Sequence, residues 1–530
     1  MKTWISMLLC ALMLSGAAIA QEGETAIVLD SEITVNGEAI STDAAATVYL
    51  EKTVQDHEDV PDELKDLENN VIVITNAGSY RISGAAQDTA ILVRAGMEDK
   101  VKLILDGADI TCRTAPGIMI ESAYDARVAG EYGVTIELAD GSENKITGSH
   151  TKAPDDDDDA LEYDGAIGAQ VSLGFEGTGS LVIDADNEGI EVASGHLTIN
   201  GGRFTIQACD DPLNVSEDGV GTLTVNDGYV YSAVKPLDGG EGDGVDSNGY
   251  IVFNGGTIIN LAHPSSMDSG IDSDMGSAIN GGIVVGAGNM YDPIAEDSQQ
   301  LFMMLEFAEE TDQLVVVTDE NDQPVFAYDF PHSYMYIAFS TPELTEGTYR
   351  VYLGGEIEGE QENGLYTSIT SYTPGVRMQH GEGNAQMRMD FSMPPPDMGG
   401  MPDMPKEMDD RIAYDQALAA LDLNELLKDA DLNELLKALD LNKLLDAYSV
   451  TDLLTDEQIA QHFGDIDMDA PLRGGRDFDR GFGRGGMGGG FGGFGGGFGP
   501  RNLESSADVA TDRFMLSKDS TGFTNVQAAK

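Results

Sequence analysis

Short runs of alternating apolar and polar residues recur along the middle of the chain, and each turn between two such runs is rich in Asn and Gly. The turns begin at a nearly constant spacing: Asn200, Asn226, Asn254 and Asn280. The intervals of 26, 28 and 26 residues are typical of a solenoid. Period-2 patterning bounded by Asn and Gly predicts strands, because the 3.6-residue pattern of an amphipathic helix is absent. We therefore predict a parallel β-helix in which equivalent residues stack about 4.8 Å apart.

A second motif runs in phase with the turns and combines an aliphatic residue with acidic neighbours. Its four copies are Glu188-Gly189-Ile190-Glu191, Asp211-Pro212-Leu213-Asn214, Asp243-Gly244-Val245-Asp246 and Ser269-Gly270-Ile271-Asp272. The aliphatic residue is predicted to face the core and its neighbours to face outward. Two carboxylates roughly 5 Å apart repel each other by on the order of 3 kcal/mol at an effective dielectric constant of about 20. The stacked column therefore requires cations.

Calcium is the predicted cofactor of this column, because it takes six to eight oxygen ligands and the motif supplies oxygen ligands only. The predicted ligands are Glu188, Glu191, Asp211, Asp243, Asp246, Asp272 and Asp274. The alternative is that these acidic residues only solvate surface turns.

The charge distribution weighs against that alternative. The chain has 29 Lys and Arg against 93 Asp and Glu, a formal net charge of −64. Between Lys152 and Arg350 the only basic residues are Arg203 and Lys235, so the carboxylates there have almost no protein cations as partners. A charge of this sign excludes nucleic acid as a partner, because binding to phosphates requires Lys and Arg.

The first twenty residues predict secretion. They contain Lys2, an apolar run from Trp4 to Leu14 and small residues before Gln21, which is the pattern of a signal peptide. We therefore expect an extracellular or cell-surface protein, and no later segment is apolar enough to be a transmembrane helix. Cys112 and Cys209 lie 97 residues apart and are predicted to remain unpaired.

Changes in composition divide the chain into seven predicted regions. They are a signal peptide (1–20), an N-terminal cap (21–68), the parallel β-helix (69–290), a small C-terminal β module (291–373), a linker rich in Pro, Met and Gly (374–409), Leu-rich helical repeats (410–465) and a disordered Gly-rich tail (466–530). The fold class is thus all-β, followed by a short helical segment and a disordered tail. The Leu-rich repeats either pack as a self-contained bundle or dock onto a protein partner.

Several blocks resemble a known family. They are Ile82-Ser83-Gly84, the stretches 103–110 and 136–144, Gly242-Asp243-Gly244-Val245-Asp246-Ser247-Asn248-Gly249 and the Asn-Gly-Gly-Thr at 254–257. In this order they are similar to secreted bacterial carbohydrate-binding β-helix proteins with a fold like that of polysaccharide lyases. The resemblance spans about residues 70 to 355. It implies a right-handed β-helix, bound calcium, and binding of cellulose or acidic pectic polymers without demonstrated catalysis.

Two copies of the acidic motif depart from the family pattern of Asp-Asp-Gly followed by an aliphatic residue. Asp210-Asp211-Pro212-Leu213 has Pro in place of Gly, and Glu188-Gly189-Ile190 has Glu in place of Asp. The assignment of individual calcium ligands is therefore open at these two copies.

A calcium-dependent, non-catalytic polysaccharide-binding protein is the first functional hypothesis. After each Asn-Gly turn the strand alternates, so Arg203, Tyr229, Thr257 and Ile283 should form one outward column, with Thr205, Tyr231, Ile259 and Val285 beside it. Arg203, Tyr229 and Tyr231 are the predicted carbohydrate-binding residues, since Arg pairs with uronates and Tyr packs on sugar rings. The opposing interpretation is that the C-terminal module covers this face.

Two other classes of function remain open. A calcium-dependent polysaccharide lyase acting on uronate polymers would need a base beside the metal, and only Arg203 and Lys235 lie within the acidic repeats. An extracellular adhesin or matrix scaffold is the third class, which the Leu-rich repeats and the Phe-containing Gly-rich tail favour.

Overall fold

The computed structural model describes residues 23–55, 57–125, 127–153, 161–295, 298–380, 513–516 and 522–528. All of them belong to one compact unit, and the second unit of the chain, residues 385–489, lies outside them. The predicted signal peptide and Leu-rich repeats also lie outside the described residues. The described part of the chain is built from strands without a helix, which confirms the all-β class. It therefore offers no helix of the length and apolarity that a bilayer crossing requires.

The strands fall into three groups along the chain. The first group is β1 (Glu24–Leu29), β2 (Thr34–Val35), β3 (Glu38–Ala39), β4 (Val48–Val54), β5 (Glu68–Ile74), β6 (Gly78–Gln87), β7 (Thr89–Arg94), β8 (Val101–Thr111), β9 (Ile118–Ser122), β10 (Val134–Leu138) and β11 (Glu143–Gly148). The second is β12 (Gly165–Ala169), β13 (Leu173–Gly177), β14 (Ser180–Ala185), β15 (Glu188–Val192), β16 (His196–Ile199), β17 (Arg203–Ala208), β18 (Leu213–Val215), β19 (Thr222–Val225), β20 (Tyr229–Val234), β21 (Asp246–Ser247), β22 (Tyr250–Phe253), β23 (Thr257–Leu261), β24 (Gly276–Ile279) and β25 (Ile283–Gly288). The third is β26 (Phe302–Thr311), β27 (Val315–Thr318), β28 (Pro324–Tyr328), β29 (Tyr334–Ser340), β30 (Gly347–Glu362), β31 (Leu365–His380), β32 (Phe514–Leu516) and β33 (Gly522–Ala528).

Strands of successive repeats pair in parallel and form three ladders. The first ladder runs β8, β10, β13, β16, β19, β22 and β24. The second ladder runs β8, β11, β14, β17, β20, β23 and β25. The third ladder runs β5, β7, β9, β12, β15, β18 and β21, with β4 antiparallel at its edge. Each full repeat therefore supplies one strand to each ladder.

The Asn-Gly turns stack between the first two ladders. In all four turns the second residue after the Asn is a Gly with φ between +86° and +104°, a conformation that side chains disfavour. The Asn side chains form a ladder of hydrogen bonds: Asn226 Nδ2 donates to Asn200 Oδ1 at 2.7 Å, Asn254 to Asn226 at 2.8 Å and Asn280 to Asn254 at 2.9 Å. These bonds help to hold neighbouring repeats in one register.

The interior is filled by apolar residues that stack in the same register. Ile136, Phe175, Ile199, Val225 and Phe253 are successive partners in the first ladder, and each is at most 1% exposed. Burying one such side chain contributes about 1.5–3 kcal/mol. The repeated column of large apolar residues is thus a main source of the stability of the stack.

The C-terminal module begins where β29 pairs antiparallel with β25 and ends the parallel stacking. Strands β27 and β28 form a hairpin whose loop spans residues 319–323. Strands β30 and β31 form a long antiparallel hairpin, and β31 continues to His380, where its last three residues pair with β33. The predicted start of the linker at 374 is therefore wrong, because residues 374–380 continue a paired strand.

The predicted disorder of the whole tail is wrong for strands β32 and β33. Strand β32 pairs with β30, and β33 lies between β26 and β31. Phe514, Leu516 and Val526 are at most 2% exposed in the core of the C-terminal module. The pairing satisfies strand edges that would otherwise expose unpaired N–H and C=O groups.

Cys112 and Cys209, the two cysteines among the described residues, are unpaired, as predicted. Cys112 is fully buried in an apolar cluster, and burial raises the pKa of its thiol to about 11. Cys112 is thus a core residue without thiolate character at neutral pH.

Candidate functional site

The acidic motif lies on the third ladder, where the register is the one predicted from its phase. Glu191 pairs with Asn214, and Asn214 pairs with Asp246. The aliphatic members of the four copies face the core and are at most 3% exposed: Ile190, Leu213, Val245 and Ile271. The acidic members consequently stack on the other side of the chain.

Glycine within the motif allows neighbouring repeats to approach closely. A Cβ atom on Gly189 would lie 2.3 Å from the carbonyl oxygen of Pro212, and one on Gly244 would lie 2.6 Å from that of Gly270. These distances are too short for any side chain. The close approach of the backbones brings the flanking carboxylates of successive repeats together.

Three carboxylates form the tightest group. Oxygens of Asp243, Asp246 and Asp272 all lie within 4.8 Å of one another. At that distance two charged carboxylates repel by about 3.5 kcal/mol at an effective dielectric constant of about 20. Backbone groups offset only part of this, since Asp243 Oδ1 accepts from the N–H of Ser269 at 2.5 Å. The group therefore needs either protons or a cation.

A second group lies one repeat away and is more deeply buried. Asn214 Nδ2 donates to Glu188 Oε1 at 2.9 Å, and both residues are 8% exposed. Glu188 Oε2 and Asn214 Oδ1 are buried without a hydrogen-bond partner. A buried oxygen left unsatisfied costs about 1–3 kcal/mol, more if charged. Two such oxygens beside Glu191, which is 3% exposed, form a set of ligands suited to a hard cation.

Burial raises the pKa of every predicted ligand. It raises the pKa of Asp243 to about 9, with Asp272 contributing, and that of Asp246 to about 7, again with Asp272 contributing. Burial and the charge of Asp164 raise the pKa of Glu191 to about 8. The pKa values of the remaining four are also raised, first by burial and then by neighbouring carboxylates: Glu188, Asp211, Asp272 and Asp274.

The structure adds three carboxylates to the predicted set. Burial raises the pKa of Asp292 to about 8 and that of Asp210 to about 6, and it also raises the pKa of Asp164. The N–H of Asp164 donates to Glu191 Oε2 at 3.0 Å. Asp210 was visible in sequence as the neighbour of Asp211, whereas Asp164 and Asp292 lie in connecting segments outside the repeated motif.

The two basic residues of the acidic repeats are engaged elsewhere. Lys235 Nζ lies 2.6 Å from Asp184 Oδ1 and donates to the carbonyl of Ala185 at 2.6 Å. Arg203 pairs with Glu362. Among the described residues, the ion pairs within 4 Å include none of the seven predicted calcium ligands. The acidic group is therefore not neutralised by Lys or Arg.

The predicted carbohydrate-binding residues meet the C-terminal module. The Arg203 guanidinium lies 3.9 Å from the centre of the Tyr229 ring, and the Tyr229 hydroxyl accepts from Asn363 Nδ2 at 2.7 Å. Tyr231 is partly buried against the apolar core of the same module. The predicted outward columns are present, since Arg203 pairs with Tyr229 in register, but the β30–β31 hairpin lies over them. This arrangement favours the opposing interpretation, in which the module covers the face.

Part of the chain is similar to known proteins. A family model described as a carbohydrate-binding domain-containing protein matches residues 68–300. A carbohydrate-binding domain-containing protein of Acetivibrio thermocellus is 35% identical over 138 residues, which are 26% of this chain and 45% of that protein. The chain thus spans less than half the length of this curated relative.

One solved structure is also similar in part. It is a polysaccharide lyase-like protein from C. thermocellum, in a gadolinium derivative. It is 23% identical, with coverage of 52% of this chain and 98% of that chain and a TM-score of 0.34.

Proposed function

We propose that this chain is a secreted, non-catalytic polysaccharide-binding protein whose stacked repeats form a right-handed parallel β-helix and bind calcium. The observation that carries the proposal is the cluster of acidic side chains on the third ladder, with two buried oxygens that lack partners. The match of residues 68–300 to a carbohydrate-binding family supports the choice of ligand.

The described residues fit calcium at two neighbouring places. Glu188, Glu191 and Asn214 would hold an ion in the buried group, and the three clustered aspartates would hold another. Only oxygen ligands are present, and oxygen-only sites with several carboxylates favour calcium over transition metals. A bound ion would supply the positive charge that Lys and Arg do not supply here.

The two groups differ in their access to solvent, and this difference assigns them different roles. Glu188 and Glu191 are buried, so an ion there would stabilise the stack. Asp243, Asp246 and Asp272 are half-buried, and Asp274 beside them is exposed. An ion held by these aspartates would be reachable by a uronate carboxylate. We therefore propose that an acidic glycan binds through calcium held by Asp243, Asp246 and Asp272.

A pull-down with insoluble polygalacturonate tests this proposal. We expect the full chain to bind in calcium and to be released by EGTA, because the ion bridges two sets of carboxylates. Asp246→Asn should weaken binding, whereas Asp238→Asn, at an exposed position, should not. Binding that is the same in calcium and in EGTA would contradict the proposal.

The same samples distinguish a binding protein from a lyase. A lyase would release unsaturated uronates that absorb in the ultraviolet. We expect no such product, since Arg203 and Lys235 are paired with Glu362 and Asp184. Product formation that is lost in Arg203→Ala or Lys235→Ala would establish the lyase instead.

A further inference from the structure

A second cluster of candidate ligands lies where the segment after β4 meets the segment after β11. His57, Asp59 and His150 present ligand atoms that all lie within 4.8 Å of one another. Both ring nitrogens of His57 are buried and have no hydrogen-bond partner. A neutral imidazole needs a donor for one nitrogen and an acceptor for the other, so two buried nitrogens with neither are a costly arrangement.

His150 is oriented from both sides by carboxylates. Its Nε2 lies 3.3 Å from Asp59 Oδ2, and its Nδ1 lies 3.5 Å from Asp186 Oδ1. The other oxygen of Asp186 accepts from Ser149 Oγ at 2.7 Å. A carboxylate behind one ring nitrogen is the usual support for a histidine whose other nitrogen binds a metal.

An ion pair alone explains part of this cluster but not all of it. Lys152 pairs with Asp59 and lies 3.5 Å from Glu58. These contacts account for the position of Asp59. They leave His57 without a partner, although its ring centre lies 5.2 Å from that of His150. The unpaired imidazole beside an oriented one is the feature that an ion pair does not explain.

We propose that His57, Asp59 and His150 bind one divalent transition-metal ion, with zinc as the best match. Two imidazoles and a carboxylate are a zinc-type set of ligands and differ from the oxygen-only set of the third ladder. The ion would link positions 91 residues apart in sequence, Asp59 and His150. It would thereby fix the segment that places the buried Val60.

Titration of the untagged full chain with Zn²⁺ in saturating calcium tests the proposal. Calcium occupies the oxygen-only groups, so calorimetry should report one zinc ion per chain. His57→Gln and His150→Gln should abolish this binding. Asp186→Asn should weaken it by about 10–100-fold, the usual effect of removing the partner of a metal-bound histidine. His332→Gln, a partly exposed histidine elsewhere, is the matched control and should bind as the parent does.

Cobalt provides a readout that does not depend on the variants. Co²⁺ added to the calcium-saturated parent should give the intense visible bands of a four-coordinate site with imidazole ligands. Only the weak bands of octahedral oxygen coordination, or zinc binding that persists unchanged in His57→Gln, would overturn the proposal.

Discussion

The two ends of the third ladder treat their outward-facing carboxylates in different ways. Near the N-terminus Arg94 lies 2.8 Å from Glu121 and 3.8 Å from Glu51, so one protein cation pairs with both acids. Near the C-terminus Glu191 and Asp246 stack with Asn214 between them, and no described ion pair reaches them. One end of the ladder thus has an Arg partner for its acids, whereas the acids at the other end need protons or an external cation.

The contrast extends along one outward column of the ladder. Successive partners in this column are Tyr49, Val73, Leu92, Met119, Gly168, Glu191, Asn214 and Asp246. The first four are apolar and buried, whereas the last three are acids and an amide. The backbone pairing is continuous across the change. The side chains alone therefore decide which part of the stack needs cations.

The largest effect should be a pH dependence of stability in the metal-free protein. The folded-state pKa values of these carboxyls are raised above their unfolded values near 4, so the folded state binds protons more tightly. Stability should therefore be greatest at about pH 4 and fall as pH rises to about 9, the pKa of Asp243. Each pKa unit corresponds to about 1.4 kcal/mol. Thermal melts in EGTA across this range measure the loss.

Melts in saturating calcium are the control for this series, because a bound ion replaces the protons. We expect the loss above pH 6 to be largely removed. If the melting temperature of the metal-free protein stays constant between pH 4 and pH 9, the clustered carboxylates do not destabilise the folded state.

The second largest effect should be that of Asp243→Asn on the free energy of unfolding. We expect this effect to be stabilising without calcium and destabilising with it. In EGTA at neutral pH, Asp243→Asn removes a carboxyl that must take up a proton on folding, because its folded-state pKa is about 9, so we expect a gain of about 2 kcal/mol. In calcium the same variant loses a ligand, and we expect it to be less stable than the parent. Chemical denaturation under both conditions measures the two differences, with Asp238→Asn as the exposed control. The same sign under both conditions would contradict the account.

The smallest effect is expected at the N-terminal end of the third ladder, where Arg94 is the cation that pairs with the acids. Arg94→Ala should destabilise the protein by about 1 kcal/mol, since the ion pairs of Arg94 are partly exposed. Calcium should not change this value, because Arg94 is paired with Glu121 and not with the acidic group. Denaturation of parent and variant with and without calcium checks this independence. A calcium-dependent loss would mean that the two ends of the ladder are coupled.

The sequence was sufficient to predict the stacking register but not everything that surrounds it. Arg203 lies opposite Tyr229, and Tyr229 lies opposite Thr257, because a spacing of 26 to 28 residues fixes which positions align. The acidic motif was found for the same reason. Asp164 and Asp292 were missed because they reach the site from segments that do not repeat.

Contacts between distant parts of the chain could not be predicted from the repeat pattern either. Glu362 and Asn363 lie over Arg203 and Tyr229, although more than 130 residues separate the two pairs. Strand β33 was missed because seven residues with no periodicity give no local signal. The strand forms where the edges of β26 and β31 both pair with it.

Calorimetric titration of the EGTA-stripped full chain with calcium tests most directly the claim that the acidic repeats need an external cation. We predict saturable binding that Asp243→Asn weakens and Arg94→Ala leaves unchanged. At a free calcium concentration of 100 times the dissociation constant, each ion should add about 2.7 kcal/mol to the free energy of unfolding. Absence of calcium binding at neutral pH, or equal binding by the Asp243→Asn variant, would contradict the account.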